Sequence, residues 1–202
     1  WTVLFSSRWC SVSRQLVNHA VSQSVSHWSF FNLFGIELFD PYVETGKVVA
    51  TLQTMGENYI VRANVTINSY LDSWNNVFQI GDGGNHATKD GTIYSRYPYL
   101  GINSESFVFV VGGANQGHIR KRDIVLGQKY QIEITQFYES GPGNSGGFKY
   151  EVKVDDEVIR SGNANNADVV ENAVVYLSTD FQYGTAADAT VEWLYVESWT
   201  QT

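Results

Sequence analysis

Lys129-Tyr-Gln-Ile-Glu-Ile-Thr-Gln-Phe-Tyr138 and Phe148-Lys-Tyr-Glu-Val-Lys-Val-Asp155, joined by Glu-Ser-Gly-Pro-Gly-Asn-Ser-Gly-Gly, decide the architecture. In the first segment Tyr130, Ile132 and Ile134 face one way, and Gln131, Glu133 and Thr135 the other. In the second, Phe148, Tyr150, Val152 and Val154 alternate with Lys149, Glu151, Lys153 and Asp155. Side chains on a strand repeat every two residues, so the pattern predicts a sheet with one buried and one wet face.

The same alternation extends outwards. Lys47–Thr54 and Tyr59–Ile67 read as strands, followed by Asn75–Ile80, Tyr97–Ile102, Ser106–Gly112 and Gly117–Arg120. Beyond the opening pair come Val174–Thr179 and Thr190–Glu197. Short segments split by Gly, Asn, Asp and Ser predict an all-β antiparallel sandwich or jelly roll. Residues 1–46 read as an N-terminal extension packing on a sandwich of residues 47–202. Within the extension, Ser-rich residues 1–27 hold neither period for long, and Phe30–Phe39 is dense in apolar side chains, ending at the turn signal Asp40-Pro41.

Composition narrows the function classes. With 202 residues, 43% hydrophobic and 17% charged, the chain suits one packed domain. Aromatics at 14% fit pleated surfaces. A net charge of −8 argues against nucleic acid, whose phosphates need a basic face. The basic cluster Arg120-Lys121-Arg122 reads as a solvated loop. No stretch is apolar enough to span a bilayer as a helix. The single cysteine, Cys10, allows no intrachain disulfide and has no evident base beside it. Asn64-Val65-Thr66 is the one Asn-x-Ser/Thr sequon; Asn64 falls on the wet face of Tyr59–Ile67, so an extracellular, secreted glycoprotein is expected.

Several segments then recur together. Ser95-Arg-Tyr-Pro-Tyr-Leu-Gly-Ile102 precedes Ser106-Phe-Val-Phe-Val-Val111. After these come Leu126-Gly-Gln-Lys-Tyr-Gln-Ile-Glu-Ile-Thr-Gln136, Tyr150-Glu-Val-Lys-Val-Asp155 and Val174-Val-Tyr-Leu-Ser178. Together they resemble the laminin-G-like, concanavalin-A-like jelly rolls of secreted animal proteins, over Lys47–Glu197. Asp155-Asp156-Glu157 stands where that family has an Asp-Gly turn. The resemblance implies the fold, and leaves open glycan binding, protein binding, calcium binding, polysaccharide hydrolysis or a structural role.

Catalytic patterns are sparse. A retaining glycosidase needs two carboxylates close together. The Glu-x-Asp-x-x-Glu strand of glucanase relatives is absent; Asp155-Asp156-Glu157 and Asp168-Val-Val-Glu171 read as loops, and Glu192 and Glu197, five apart, face opposite sides of a regular strand. His19 and His27 match no metal spacing, and His86 and His118 lie in polar loops. The expectation is therefore a non-catalytic binding protein. Glycan recognition leads, with Trp74, Asn85, Tyr94, Arg96 and Tyr97 as candidate ligand contacts, because rings meet sugar faces and polar groups take the hydroxyls. Gly81-Asp82-Gly-Gly-Asn85 and Lys89-Asp90-Gly91 offer oxygen ligands, Asp82 and Asp90 foremost, for calcium. The alternatives are a carrier of a lipid or polyene pigment, drawing on Phe30–Phe34 and Phe107–Val111, and an adhesion module with protein partners or a homo-oligomer.

Overall fold

The computed structural model describes residues 28–37, 42–44, 46–70, 74–81, 98–111, 119–121, 123–141, 146–164, 169–178 and 185–201. Thirteen strands run through them: β1 (Trp28–Glu37), β2 (Lys47–Met55), β3 (Asn58–Ile67), β4 (Trp74–Gly81), β5 (Tyr99–Asn103), β6 (Ser106–Val110) and β7 (Ile119–Lys121) come first. Then follow β8 (Lys129–Glu139), β9 (Gly147–Val154), β10 (Glu157–Asn163), β11 (Val170–Leu177), β12 (Thr185–Ala186) and β13 (Ala189–Gln201). A six-stranded sheet has the order β1-β13-β3-β8-β9-β10. A seven-stranded sheet has β2-β11-β4-β5-β6-β7, with β12 beside β4. All named pairs are antiparallel except the two-residue β12–β4 pair. The protein is an all-β antiparallel sandwich, as the alternation predicts.

Two apolar faces meet in one core. The six-stranded sheet contributes Val61, Val65, Ile132, Ile134 and Val152, all fully buried. The seven-stranded sheet answers with Leu52, Phe78, Ile80, Leu100, Phe107 and Phe109, also fully buried. Phe107 of β6 meets Tyr130 of β8 edge-on across the layers, with ring centroids 5.1 Å apart at 83°. Such a ring pair contributes about 0.5–1.5 kcal/mol beyond its buried area. The alternation selects Tyr130, Ile132, Ile134, Tyr150, Val152 and Val154, all buried; Gln136 is buried as well, and Phe148, also selected, is part-exposed.

The structure differs from the sequence reading in a few places. Trp28–Glu37, inside the segment read as an extension, is an edge strand of the six-stranded sheet, registered along β13 from Trp28↔Gln201 to Glu37↔Trp193. Glu157–Asn163 adds a tenth strand joined to β9 by the two-residue turn Asp155-Asp156. Both turn residues adopt left-handed backbone, with φ of 52° and 63°. That is the geometry tight hairpins need, and one Asp-Gly usually supplies. Asp155 compensates by accepting a hydrogen bond from the Gln131 amide at 2.8 Å.

Candidate functional site

Of the expected ligand contacts, Trp74 lies among the described residues, and Asn85, Tyr94, Arg96 and Tyr97 lie outside them, as do the calcium candidates Asp82 and Asp90. Trp74 is half-buried and opens β4 opposite Asn103 of β5, so it is a strand residue and not a loop residue. The strands that flank the expected site are closed to solvent. Asn75–Gly81 of β4 are buried throughout. On the face turned away from the core, Tyr176, Gln79, Tyr99 and Val110 lie in register across β11, β4, β5 and β6. Tyr99 is 1% exposed and donates its hydroxyl hydrogen to Asn76 Oδ1 at 2.6 Å. Its ring lies over Gly101, where an added Cβ falls 2.2 Å from the Tyr99 hydroxyl. Tyr99 is therefore buried framework and offers no open ring face.

The outer face of the six-stranded sheet is open and chemically mixed. One row runs Tyr195 (β13), Arg62 (β3), Glu133 (β8), Lys153 (β9) and Val158 (β10). Arg62 Nε donates to Glu133 Oε2 at 2.6 Å, and Lys153 Nζ donates to Glu133 Oε1 at 3.0 Å. Partial burial pushes the Glu133 carboxyl upward, but the hydrogen bonds from Arg62 and Lys153 outweigh it and hold the group below its ordinary value. The hydrogen bond to Glu151, then the one to Glu133, raise the Lys153 ammonium. The charges are thus spent on one another along the row.

At the β13 side of this face stands an aromatic stack. Trp193 and Tyr195 lie with ring centroids 5.6 Å apart and planes 15° apart. The Arg62 guanidinium sits 5.6 Å from the Tyr195 centroid, a cation–π contact. Tyr195 donates to Glu197 Oε2 at 3.0 Å. Burial, then this bond, push its phenol up to about 12 against the opposing charge of Arg62. The stack follows from the alternation Trp193-Leu-Tyr-Val-Glu197, whose odd members point outward. A β-bulge between Val191 and Trp193 inserts Glu192, so Glu192 is also exposed and pairs with Lys129 at 2.5 Å. The five-residue spacing of Glu192 and Glu197 therefore does not put them on opposite faces, as a regular strand requires.

At the β10 side the face is concave. A shallow cleft of about 280 Å³ is lined by Phe137 and Glu139 of β8, Lys149, Tyr150 and Glu151 of β9, and Ser161, Gly162 and Asn163 of β10. Register explains the assembly: Phe137, Lys149 and Asn163 share one row, and Thr135, Glu151 and Ser161 the next. Lys149 Nζ donates to Asn163 Oδ1 at 2.5 Å and lies 3.8 Å from Glu139 Oε2. Gly162 opposes Tyr150, whose hydroxyl lies 3.0 Å from where a Cβ at 162 would stand. The cleft thus offers an aromatic side chain amid two carboxylates, an ammonium, a hydroxyl and an amide. Sequence reasoning missed it because its walls come from three strands, one of which was not foreseen. Among the described residues no group of three or more His, Cys, Asp and Glu is placed to hold a metal ion, and no helix is long and apolar enough to cross a membrane.

The sequence matches no family model and no curated protein. Among solved structures, Trypanosoma rangeli sialidase in complex with sialic acid is 15% identical, covering 69% of this chain and 20% of its own, with a TM-score of 0.47. A heptameric SAP-like pentraxin from Limulus polyphemus is 11% identical, covering 77% of this chain and 75% of its own, at 0.47. A family 7 alginate lyase, A1-II′, in complex with a substrate is 16% identical, covering 72% of this chain and 63% of its own, at 0.45. The chain spans about a fifth of the length of the sialidase. At such identity no site residue carries over. The expectation of a non-catalytic chain is nevertheless corrected, because a sialidase and a lyase are among the matches. Membership of this fold gives no ground for excluding catalysis.

Proposed function

We propose that this chain is an extracellular glycan-binding protein, akin to laminin-G-like modules, and that it takes a saccharide in the cleft over β8, β9 and β10. The observation that carries the reading is the cleft's composition. Sugars present an apolar ring face and a rim of hydroxyls. A site for them needs an aromatic side chain and several fixed hydrogen-bonding groups in a shallow, open depression. Phe137 supplies the aromatic surface. Glu139, Glu151, Ser161 and Asn163 accept hydrogen bonds from hydroxyls, and Lys149 donates them. The Glu139 side chain is 61% exposed and that of Lys149 36%, so a ligand reaches both at little desolvation cost.

A glycan array probed with the whole chain, with and without a calcium chelator, tests the reading. Binding to at least one glycan class is expected, weakened at least tenfold by Phe137→Ala. Loss on chelation shows that binding needs a divalent cation. Failure to bind any glycan, or binding indifferent to Phe137→Ala and Glu151→Gln together, removes the cleft as a glycan site. The carrier alternative has less support: Phe107, Val108, Phe109 and Val111 are fully buried and Val110 is 5% exposed, so that segment offers no ligand surface.

A further inference from the structure

The aromatic stack at the other side of the open face takes no part in the cleft, and neither does the sequon. They are neighbours. Asn64 lies in β3 with Trp193 of β13 directly across from it on one flank and Gln131 of β8 on the other. Directly opposed residues on one face of an antiparallel pair hold their Cβ atoms about 4.5–5.5 Å apart. Asn64 is part-exposed, and so is Thr66, two residues on and on the same face. The sequon therefore presents its amide and its hydroxyl to solvent together, and any group on Asn64 Nδ2 emerges beside the indole of Trp193. On its far flank β13 meets β1, where Gly35 stands opposite Tyr195 and Glu37 opposite Trp193 in the register.

We infer that Asn64 carries an N-linked glycan whose first sugar packs against the Trp193–Tyr195 stack. In the coupling step a bond forms between Asn64 Nδ2 and C1 of the sugar. The C1–O bond to a lipid-linked diphosphate donor breaks, the diphosphate leaves with the electron pair, and one amide proton is lost to base. The attached sugar then lays its apolar face on rings already held parallel by their own stacking and by Arg62. The folded face gains a contact that the unfolded chain lacks. The charged row Arg62–Glu133–Lys153 separates this glycan from the cleft, so the attached sugar and a bound saccharide occupy different parts of the sheet.

The test is secretion of the full chain from a eukaryotic host. Intact mass is measured before and after an endoglycosidase that leaves a single sugar on the asparagine. The expected product is the protein plus one N-acetylhexosamine, absent from Thr66→Ala. Denaturant unfolding of that one-sugar form against Thr66→Ala is expected to show the sugar lowering the unfolding constant about fivefold. In a Trp193→Ala background the difference is expected to vanish. Should Trp193→Ala fail to fold, nuclear Overhauser contacts between the sugar's ring protons and the indole of the wild-type chain decide the same point. Secreted protein without a glycan at Asn64 overturns the inference. So does a stabilisation that survives Trp193→Ala, or a sugar with no contact to the indole. None of these outcomes bears on Phe137, so the cleft reading stands or falls separately.

Discussion

Gly101→Ala is the sharpest single test of how β4 and β5 pack. Residue 101 sits in mid-strand in β5, and a Cβ there meets the Tyr99 hydroxyl at 2.2 Å, the ring carbon bearing it at 2.7 Å and the backbone oxygen of Asn75 at 2.8 Å. The first two contacts are relieved if the Tyr99 ring swings away; the third is backbone and yields only if β4 and β5 shift. Overpacking of this kind costs about 1–3 kcal/mol. Displacing the ring also breaks the Tyr99–Asn76 hydrogen bond, at about 1 kcal/mol. The sum is about 2–4 kcal/mol, a fall in thermal midpoint on the order of 10 °C for a chain of this length. Urea unfolding reads the loss directly, with an unchanged slope against denaturant confirming that the fold is retained. Tyr99→Phe isolates the hydrogen bond and is expected to cost about 1 kcal/mol. In a Tyr99→Leu background Gly101→Ala is expected to cost at least about 1 kcal/mol less, since the two side chains compete for one space. Gly101→Ala within about 0.5 kcal/mol of wild type refutes the seating of the ring on the strand.

The open face and its hairpin turn supply three more tests. Glu133→Gln is expected to lose about 1 kcal/mol at neutral pH, because its partners are partly exposed and solvent screens each pair. The native Glu133 carboxyl is held below its ordinary value, so its contribution is complete above the unfolded pKa and fades as pH falls through the folded one. The deficit of the variant should shrink on acidification and in high salt; a deficit independent of both contradicts the ionic account. Asp156→Gly is expected to stabilise by about 0.5 kcal/mol, since glycine adopts the left-handed turn freely, whereas Asp155→Gly forfeits the bond to the Gln131 amide and should not. Urea melts that rank the two the other way rule out strain at this turn. In an alkaline ultraviolet titration Tyr195 should ionise only near pH 12, and Tyr195→Phe should remove one phenol from the late ionisation while leaving the earlier steps; an unchanged late ionisation contradicts the burial and the Glu197 bond that raise it.

Much of the framework was legible because burial on one face imposes a period of two. β3, β8 and β9 show this over residues 61–67, 130–135 and 149–154, where the apolar positions are buried and the polar ones are not. The strands that were missed escape that rule. Glu157–Asn163 is an edge strand held by backbone hydrogen bonds to β9, with little apolar surface to bury, so its sequence reads as a polar turn. Trp28–Glu37 mixes Phe, Leu and Ile with no clean alternation, and its place beside β13 is a long-range pairing that no local pattern encodes. The cleft was illegible for a related reason. Parity tells which way Phe137, Lys149 and Asn163 point, but only the register of three strands makes them neighbours. The bulge before Trp193 defeats parity outright. Three glycines have a role that parity does not show: Gly101, Gly146 and Gly162 each lie beneath a tyrosine ring, of Tyr99, Tyr138 and Tyr150 in turn.

The pairing of β1 with β13 has a mechanical meaning. Trp28 lies opposite Gln201, so the chain enters and leaves the six-stranded sheet at one corner. In an antiparallel pair the ladder bonds run perpendicular to the strands. Tension applied at these two points loads the bonds one after another, from Trp28↔Gln201 towards Glu37↔Trp193, and peels the strands apart like a zipper. A shear geometry, which strains all the bonds at once, resists far more. Handles at residues 28 and 201 should therefore open this edge at low force. Handles that pull β3 against β8 along their length should meet a much higher one. Single-molecule extension in the two geometries would compare them, and equal rupture forces would show that the sandwich core, not the edge pairing, bears the load.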